Sequence, residues 1–386
     1  MNKFKFYFFL LITSVSLFSC SKNNNDVTIE PPVDYAVQYP IDIALIEDYL
    51  KTNYFTVVNH PGFVDDQDVT IAKIDNGQPS IMSYLNAATY PKLLVRNVKM
   101  HNVATGYNIY YLVLRPGVGV SPCNVDGVLA AYKGTYLSRT ADTATPPSEP
   151  TATFFGEAKF PQTFFSLYGG YIGELVVGWS EIFPQFKTGT SSINSDGTVI
   201  HNDFGAGVMF IPSGLGYYET GKNSIPAYAP LVFSIKLYNI QRLDNEYEIR
   251  AGLPFSMPDG VFSYQEDKNN DGYVYDYRNT IAFPTTPTDD IRYADDTDKD
   301  GIPDFLDVDD DGDNYTTKLE ITKPEGTNSG LSLYFPFDPI VDDPMTTAIE
   351  TETKGIPEYS AAGTPDYTTP TRKRIHLDKE HHTAKP

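Results

Sequence analysis

Between residues 289 and 313 the chain carries 12 aspartates against two basic residues, Arg292 and Lys299. Their spacing is regular. Asp296, Asp298, Asp300, Asp304 and Asp307 fall at positions 1, 3, 5, 9 and 12 of a loop whose position 6 is Gly301. Oxygen donors at these intervals, with a residue that tolerates a sharp turn at the sixth, suit a hard cation that takes six to eight oxygen ligands. A second loop follows directly: Asp309, Asp311 and Asp313, then Asn314 at the turn and Glu320 at position 12. Asn is among the few residues besides Gly that enter the left-handed region. Without a cation such a run would repel itself and stay open. The expected cofactor is therefore structural Ca2+. Asp267, Asn269, Asp271 and Gly272 begin a weaker third loop, in which Arg278 stands where the last ligand belongs.

A second set of residues is apolar and aromatic. Residues 205–240 read as strand, loop, strand. Val208, Met209, Phe210 and Ile211 form a short apolar run closed by Pro212; Leu231, Phe233, Ile235 and Leu237 recur with the period of a strand that buries one face. The loop between them is rich in Gly, Pro and Tyr. Upstream, Trp179, Ile182, Phe183 and Phe186 stand at i, i+3, i+4 and i+7, one face of a short helix that must begin near Gly178 for Pro184 to be tolerated.

Ile-Pro-Ser-x-Leu-Gly-Tyr at 211–217, Ile-Pro-Ala-Tyr-Ala-Pro at 225–230 and Leu-Val-Phe at 231–233 resemble, in order and spacing, the end of the FK506-binding-protein (FKBP) family of peptidyl-prolyl isomerases. Tyr132-Lys-Gly134, Phe164-Phe165-Ser-Leu167 and Glu174-Leu175-Val176-Val177-Gly178-Trp179 resemble that family's approach to its pocket. The resemblance covers roughly residues 103–240. It implies an α+β fold, an antiparallel sheet curled over one short helix. It also implies a proline cup of Tyr132, Phe165, Val176, Trp179, Tyr217, Ile225 and Phe233, with Trp179 as floor and Tyr217 as a donor to a substrate carbonyl. No catalytic cofactor is implied. Rotation about a peptide bond faces a barrier of about 18–20 kcal/mol because resonance must be broken. A dry cup disfavours the charge-separated planar amide relative to the twisted one. Two departures stand out. Phe154-Phe155-Gly156-Glu157 is the nearest stretch to a Phe-Asp pair and lacks the Asp; Tyr218 replaces the Gly that usually follows the pocket Tyr. These leave open a peptide-binding chaperone without useful turnover. The Asp-rich loops resemble thrombospondin type 3 repeats, which leaves a third reading, a calcium-stabilised structural or adhesive protein.

The 386 residues place these sets in order. Lys3 and Lys5 precede an apolar run at 6–18, too short to span as a membrane helix and laid out like a secretory signal. Leu17-Phe18-Ser19-Cys20 resembles a bacterial lipobox, which implies a signal peptide at 1–19 and lipidation of Cys20; an ordinary signal peptide with a chance Cys is the alternative. Residues 20–39 read as a polar tether, 40–100 as a helical and mixed segment starting at Pro40, 101–242 as the isomerase-like domain, 243–320 as the Asp-rich region and 321–386 as an irregular tail. The 29 basic against 50 acidic residues give a formal net charge of −21, which repels nucleic acid. Of two cysteines, Cys123 has no partner if Cys20 is lipidated, and reads as structural. The expected setting is the bacterial envelope, an outer-membrane lipoprotein facing periplasm or cell surface, with proline-containing polypeptides as clients.

Overall fold

Asp34 starts the first helix, its carboxylate accepting the Ala36 N–H at 2.7 Å. Helix α1 runs Tyr35–Thr52, and its buried face includes Tyr39, Leu45, Ile46, Tyr49 and Leu50. Pro40 does not begin it, as its sequence position suggests, but sits inside. The cap at Asp34 supplies the start, and Pro40 only withholds one hydrogen bond from the Ala36 carbonyl. The computed structural model describes residues 31–140, 148–169, 176–285, 290–324, 332–340, 352–360 and 363–382. Cys20, the apolar run before it and Glu174-Leu175 lie outside them. No helix among the described residues is long and apolar enough to cross a membrane.

A hairpin of β1 (Asn53–Val57) and β2 (Val69–Lys73) follows α1, antiparallel. The main sheet has seven strands: β3 (Lys92–Val98), β4 (Tyr107–Arg115), β5 (Gly127–Ser138), β6 (Thr151–Ala158), β7 (Phe165–Ser166), β10 (Gly205–Ile211) and β11 (Leu231–Gln241). Their order is β3-β4-β10-β11-β5-β6, all antiparallel, with β7 pairing the start of β5. The sheet thus begins at Lys92, ahead of the boundary at 101 that the sequence suggests. Residues 188–202 hold a hairpin of β8 (Thr190–Ile193) and β9 (Val199–Asn202), turned at Gly197 with φ +85°.

The period of two sorts side chains onto two faces. Ile109, Tyr111 and Val113 of β4, Met209 and Ile211 of β10, and Leu231, Phe233, Ile235 and Leu237 of β11 join one core with helix α2 (Val177–Ile182) and the 3-10 turn Phe183–Gln185. Tyr110, Leu112 and Leu114, Val208 and Phe210, and Val232 point the other way, where Leu45, Ile46, Tyr49 and Leu50 of α1 cover them. β11 is therefore buried on both faces over most of its length, not on one, because α1 roofs the second. The 40–100 segment, whose placement the sequence leaves open, packs on the sheet.

The Asp-rich region packs on the loop that precedes β5. Its Val274, Phe305 and Leu306 pack on Cys123 and Val125. It contains the small hairpin β12 (Tyr247–Arg250) with β13 (Leu253–Ser256), and the one-turn helix α3 (Thr317–Glu320). The tail folds back on it: β14 (Glu358–Tyr359) pairs β15 (Pro365–Asp366), and Ile356 and Ile375 close a core with Val261, Ile321 and Phe335. The architecture is mostly antiparallel β with few helices; the antiparallel sheet is as expected, but the long helix α1 covers its second face in addition to the one short helix expected.

Candidate proline-binding cup and carboxylate loops

Helix α2 is held tightly to the sheet at Gly178, where a Cβ would meet the Ile211 side chain at 2.5 Å. That approach sets Trp179 against the inner face. Its ring centroid lies 5.2 Å from Tyr132, 4.9 Å from Phe165, 4.9 Å from Phe233 and 5.8 Å from Phe183. The contacts are edge-on or tilted, the arrangement ring quadrupoles favour. Val176 at the helix entrance and Ile225 are buried in the same cluster, and Tyr217 packs on it half-exposed. All seven residues named from the sequence therefore meet in one cluster. The Trp179 indole N–H is buried with no hydrogen-bond partner, an uncommon state for such a donor.

Sequence reasoning missed an eighth ring. Phe155 on β6 stands 5.5 Å from Phe233, edge-on. It fits because Gly134 lies opposite, where a Cβ would meet Phe155 at 2.3 Å. Phe154 points outward, 53% exposed. Gly156 follows Phe155, and a Cβ there would meet nothing within 4 Å, so the rim has room for a side chain and carries none. Tyr218 has φ +40°, the left-handed region that favours glycine. Its ring stacks on Tyr35 at 4.0 Å, and Tyr35 stacks on His101 at 4.0 Å.

Beside the cup runs a cleft of about 610 Å³, lined among others by Val177, Ser180, Tyr217, Tyr218, Tyr275 and Phe283. Its far wall thus comes from beyond residue 242. That wall is pinned to α2. Arg96 Nε donates to Glu181 Oε2 at 2.9 Å, Tyr275 donates its hydroxyl to Glu181 at 3.1 Å, and Tyr273 donates to the Glu181 carbonyl at 2.8 Å. The Arg96 guanidinium also lies 3.5 Å over the Tyr273 ring. Burial raises the Glu181 carboxyl above its ordinary range, against the pull of Arg96. Burial also lowers His101 to about 4, so that it is neutral near pH 7. Burial pushes the Cys123 thiol up to about 12, an inert structural position as expected.

In the first carboxylate loop, Asp296, Asp298 and Asp300 each bring an oxygen within 4.8 Å of the others. Asp296 accepts the Gly301 N–H at 3.0 Å, and Gly301 has φ +99°. Asp304 does not join them: its oxygens accept the Thr297 N–H and hydroxyl, both at 2.7 Å. Asp307 accepts the Asp309 N–H at 3.0 Å. In the second loop Asp309, Asp311 and Asp313 converge in the same way, and Asn314 makes the turn with φ +73°. Glu320 is buried, and burial followed by repulsion from Asp311 pushes it up to about 9. The tail reaches this loop, with His382 Nδ1 3.2 Å from Asp313 Oδ2.

The FKBP-like stretch has a curated relative. The chain is 28% identical over 151 residues to the FKBP-type peptidyl-prolyl cis-trans isomerase FkpA of Aeromonas hydrophila, a span of 39% of this chain and 44% of that protein. It therefore covers less than half of that relative's length. Two solved structures are similar over 40% of this chain, each with a TM-score of 0.25: a peptidyl-prolyl cis-trans isomerase from Pseudomonas syringae pv. tomato (20% identity, 84% of that chain) and FkpA from Escherichia coli (21% identity, 54% of that chain). A family model described as BamM C-terminal matches residues 258–348. The chain thus joins a region distantly similar to FKBP-type isomerases to a BamM C-terminal region.

Proposed function

We propose that the cup around Trp179 binds proline-containing segments of envelope or secreted polypeptides and catalyses isomerisation of their X-Pro bonds. The observation that carries this reading is the ring cluster itself: Tyr132, Phe155, Phe165 and Phe233 around one indole. The 28% identity to an isomerase supports it. In this reading the proline ring sits on Trp179, with Val176 and Ile225 as apolar walls. Tyr217 and the unpartnered indole N–H are the donors for amide carbonyls, and flanking residues lie in the cleft between Tyr217 and Phe283. Exclusion of water destabilises the planar amide; about 6 kcal/mol off the barrier would give about four orders of magnitude.

No titrating group does chemistry, so turnover is flat from about pH 6 to 8; His101, lowered to about 4, stays neutral across that window. The test is a protease-coupled isomerisation assay on the full mature chain, with Trp179→Leu and Phe165→Leu expected to lower turnover. Tyr217→Phe should cost about 0.5–1.5 kcal/mol, one neutral hydrogen bond. A bell-shaped pH profile with limbs near neutrality refutes the mechanism. The bare Gly156 rim favours a second reading, a chaperone that holds such segments without turnover; bound proline peptides with no measurable isomerisation select it.

The tandem loops are proposed to hold structural Ca2+, Asp296, Asp298 and Asp300 in one and Asp309, Asp311, Asp313 and Glu320 in the other. Chelation should open residues 296–320 to proteolysis, and an unchanged digest refutes it. An outer-membrane lipoprotein setting is supported by the BamM C-terminal match and by the charged, apolar, Cys20 order of the N-terminus. Cys20→Ser should release the chain from the membrane fraction.

A further inference from the structure

A separate group of carboxylates lies away from the tandem loops' ligand sets. Asp244 and Glu246 follow strand β11, Asp259 and Glu266 flank the 3-10 turn Ser263–Gln265, and Asp310 comes from between the ligand positions of the second loop. Oxygens of Asp244, Glu246 and Asp259 lie within 4.8 Å of one another, and so do oxygens of Asp259, Glu266 and Asp310. Asp259 belongs to both groups. Glu246, Asp259, Glu266 and Asp310 are each at most 3% exposed. Backbone donors fix one oxygen on each of two members: Gly260 N–H donates to Asp244 Oδ2 at 3.0 Å and Val261 N–H to Asp259 Oδ1 at 2.8 Å. The opposite oxygens of both, and both oxygens of Glu246 and of Glu266, are buried with no hydrogen-bond partner. Among the described residues none of the five pairs with a basic side chain; the Lys318 ammonium is turned to the Pro258 carbonyl at 2.8 Å.

Unpaired buried carboxylates cost several kcal/mol each, and five converging without a counter-charge would force the segments apart. We infer that Asp244, Glu246, Asp259, Glu266 and Asp310 form a calcium centre, distinct from the tandem loops, that fastens the Asp-rich region to the end of the main sheet. The donors are oxygens only, which selects a hard cation. The site is walled by protein, and Ca2+ accepts a full set of protein oxygens with loose geometry, whereas Mg2+ keeps several waters.

The experiment is calcium binding to the full mature chain, by equilibrium dialysis with Ca2+ alone, in wild type, E246Q/E266Q and a loop variant D298N/D311N, with thermal unfolding of each in EDTA and in calcium. E246Q/E266Q should bind fewer ions per chain than wild type, and the loop variant should retain the ions that E246Q/E266Q loses. In EDTA, E246Q/E266Q should melt at or above wild type, because repulsion is relieved; in calcium it should melt below. That crossing separates a cation site from a structural role. Unchanged stoichiometry in E246Q/E266Q, or a Tm lowered equally in EDTA and calcium, overturns the inference. Loss of ions from the loop variant alone supports the tandem loops and overturns this centre.

Discussion

Arg96→Met removes the cation that, among the described residues, pairs with a carboxylate that has no exposure. Glu181 is 0% exposed; Arg96 reaches it at 2.9 Å, and the Tyr275 hydroxyl at 3.1 Å is the other donor to its carboxylate. Removing one member of a buried pair costs about 3–5 kcal/mol. Protonation limits the cost. The Glu181 carboxyl already lies above its ordinary value of 4.5, burial outweighing the pull of Arg96, and losing Arg96 raises it further. A carboxyl raised in the folded state leaves stability intact below its unfolded pKa and loses it as pH rises towards the folded one. The variant should therefore match wild type at low pH, where both keep Glu181 protonated, and fall behind only above the pH at which wild-type Glu181 ionises, by up to about 1.4 kcal/mol per pH unit. The deficit should level off at about 3–5 kcal/mol once the variant's carboxyl is ionised as well. Glu181→Gln should cost less, because the guanidinium is 23% exposed and keeps its place over Tyr273. The double variant should recover most of the Arg96→Met loss. Urea unfolding read by fluorescence of Trp179, the chain's only Trp, at several pH values in saturating calcium measures all three. A deficit independent of pH, or a double variant as unstable as Arg96→Met, refutes the reasoning.

Gly156→Asp places a carboxylate at the bare rim of the cup without collision and should raise turnover by about tenfold, the worth of one hydrogen bond of about 1.4 kcal/mol; equal or lower turnover with an intact fold counts against the cup as an isomerase site. Asp42 accepts hydrogen bonds from Gln38 Nε2 at 2.7 Å and from the Ser213 N–H and hydroxyl at 2.7 and 2.6 Å, yet burial pushes its carboxyl up from 3.8 to about 6. Its contribution to stability should thus fall by about 3 kcal/mol as pH rises from 4 to 6, and the wild type minus Asp42→Asn difference curve should slope only in that window. The Cys123 thiol should resist Ellman's reagent in the native chain and react at once in urea; prompt native labelling would contradict its burial.

Local patterns were legible in the sequence. The alternation at Leu231 to Leu237 sets β11, the i, i+3, i+4, i+7 spacing from Trp179 sets α2, and the turn at Asn314 follows from its side chain. What escaped depends on partners distant in the chain. Nothing near Val208 or Phe210 says that α1 covers them. Asp304 has the spacing of a ligand, but Thr297 captures both its oxygens. The convergence of Asp244, Glu246, Asp259, Glu266 and Asp310 follows no interval, because three separate segments bring them together. Glu181 reads as an ordinary helix-surface acid until β3 brings Arg96 against it and the Asp-rich region brings Tyr275.

The sheet order also dictates when this chain can fold. Strand β4 finds one neighbour early in β3, but its other neighbour is β10, with Met209 opposite Tyr111. Strand β5 must likewise wait for β11, where Phe233 faces Gly134. A polypeptide emerging N-terminus first therefore carries α1 with its apolar face, and β4 with Leu112 and Leu114, before the strands that complete the sheet exist. Non-local pairing of this kind makes for slow folding and a long interval of exposed apolar surface. The nascent chain should be a client of holding chaperones until residues beyond 240 have been delivered, and truncations ending before β11 should aggregate instead of folding in part.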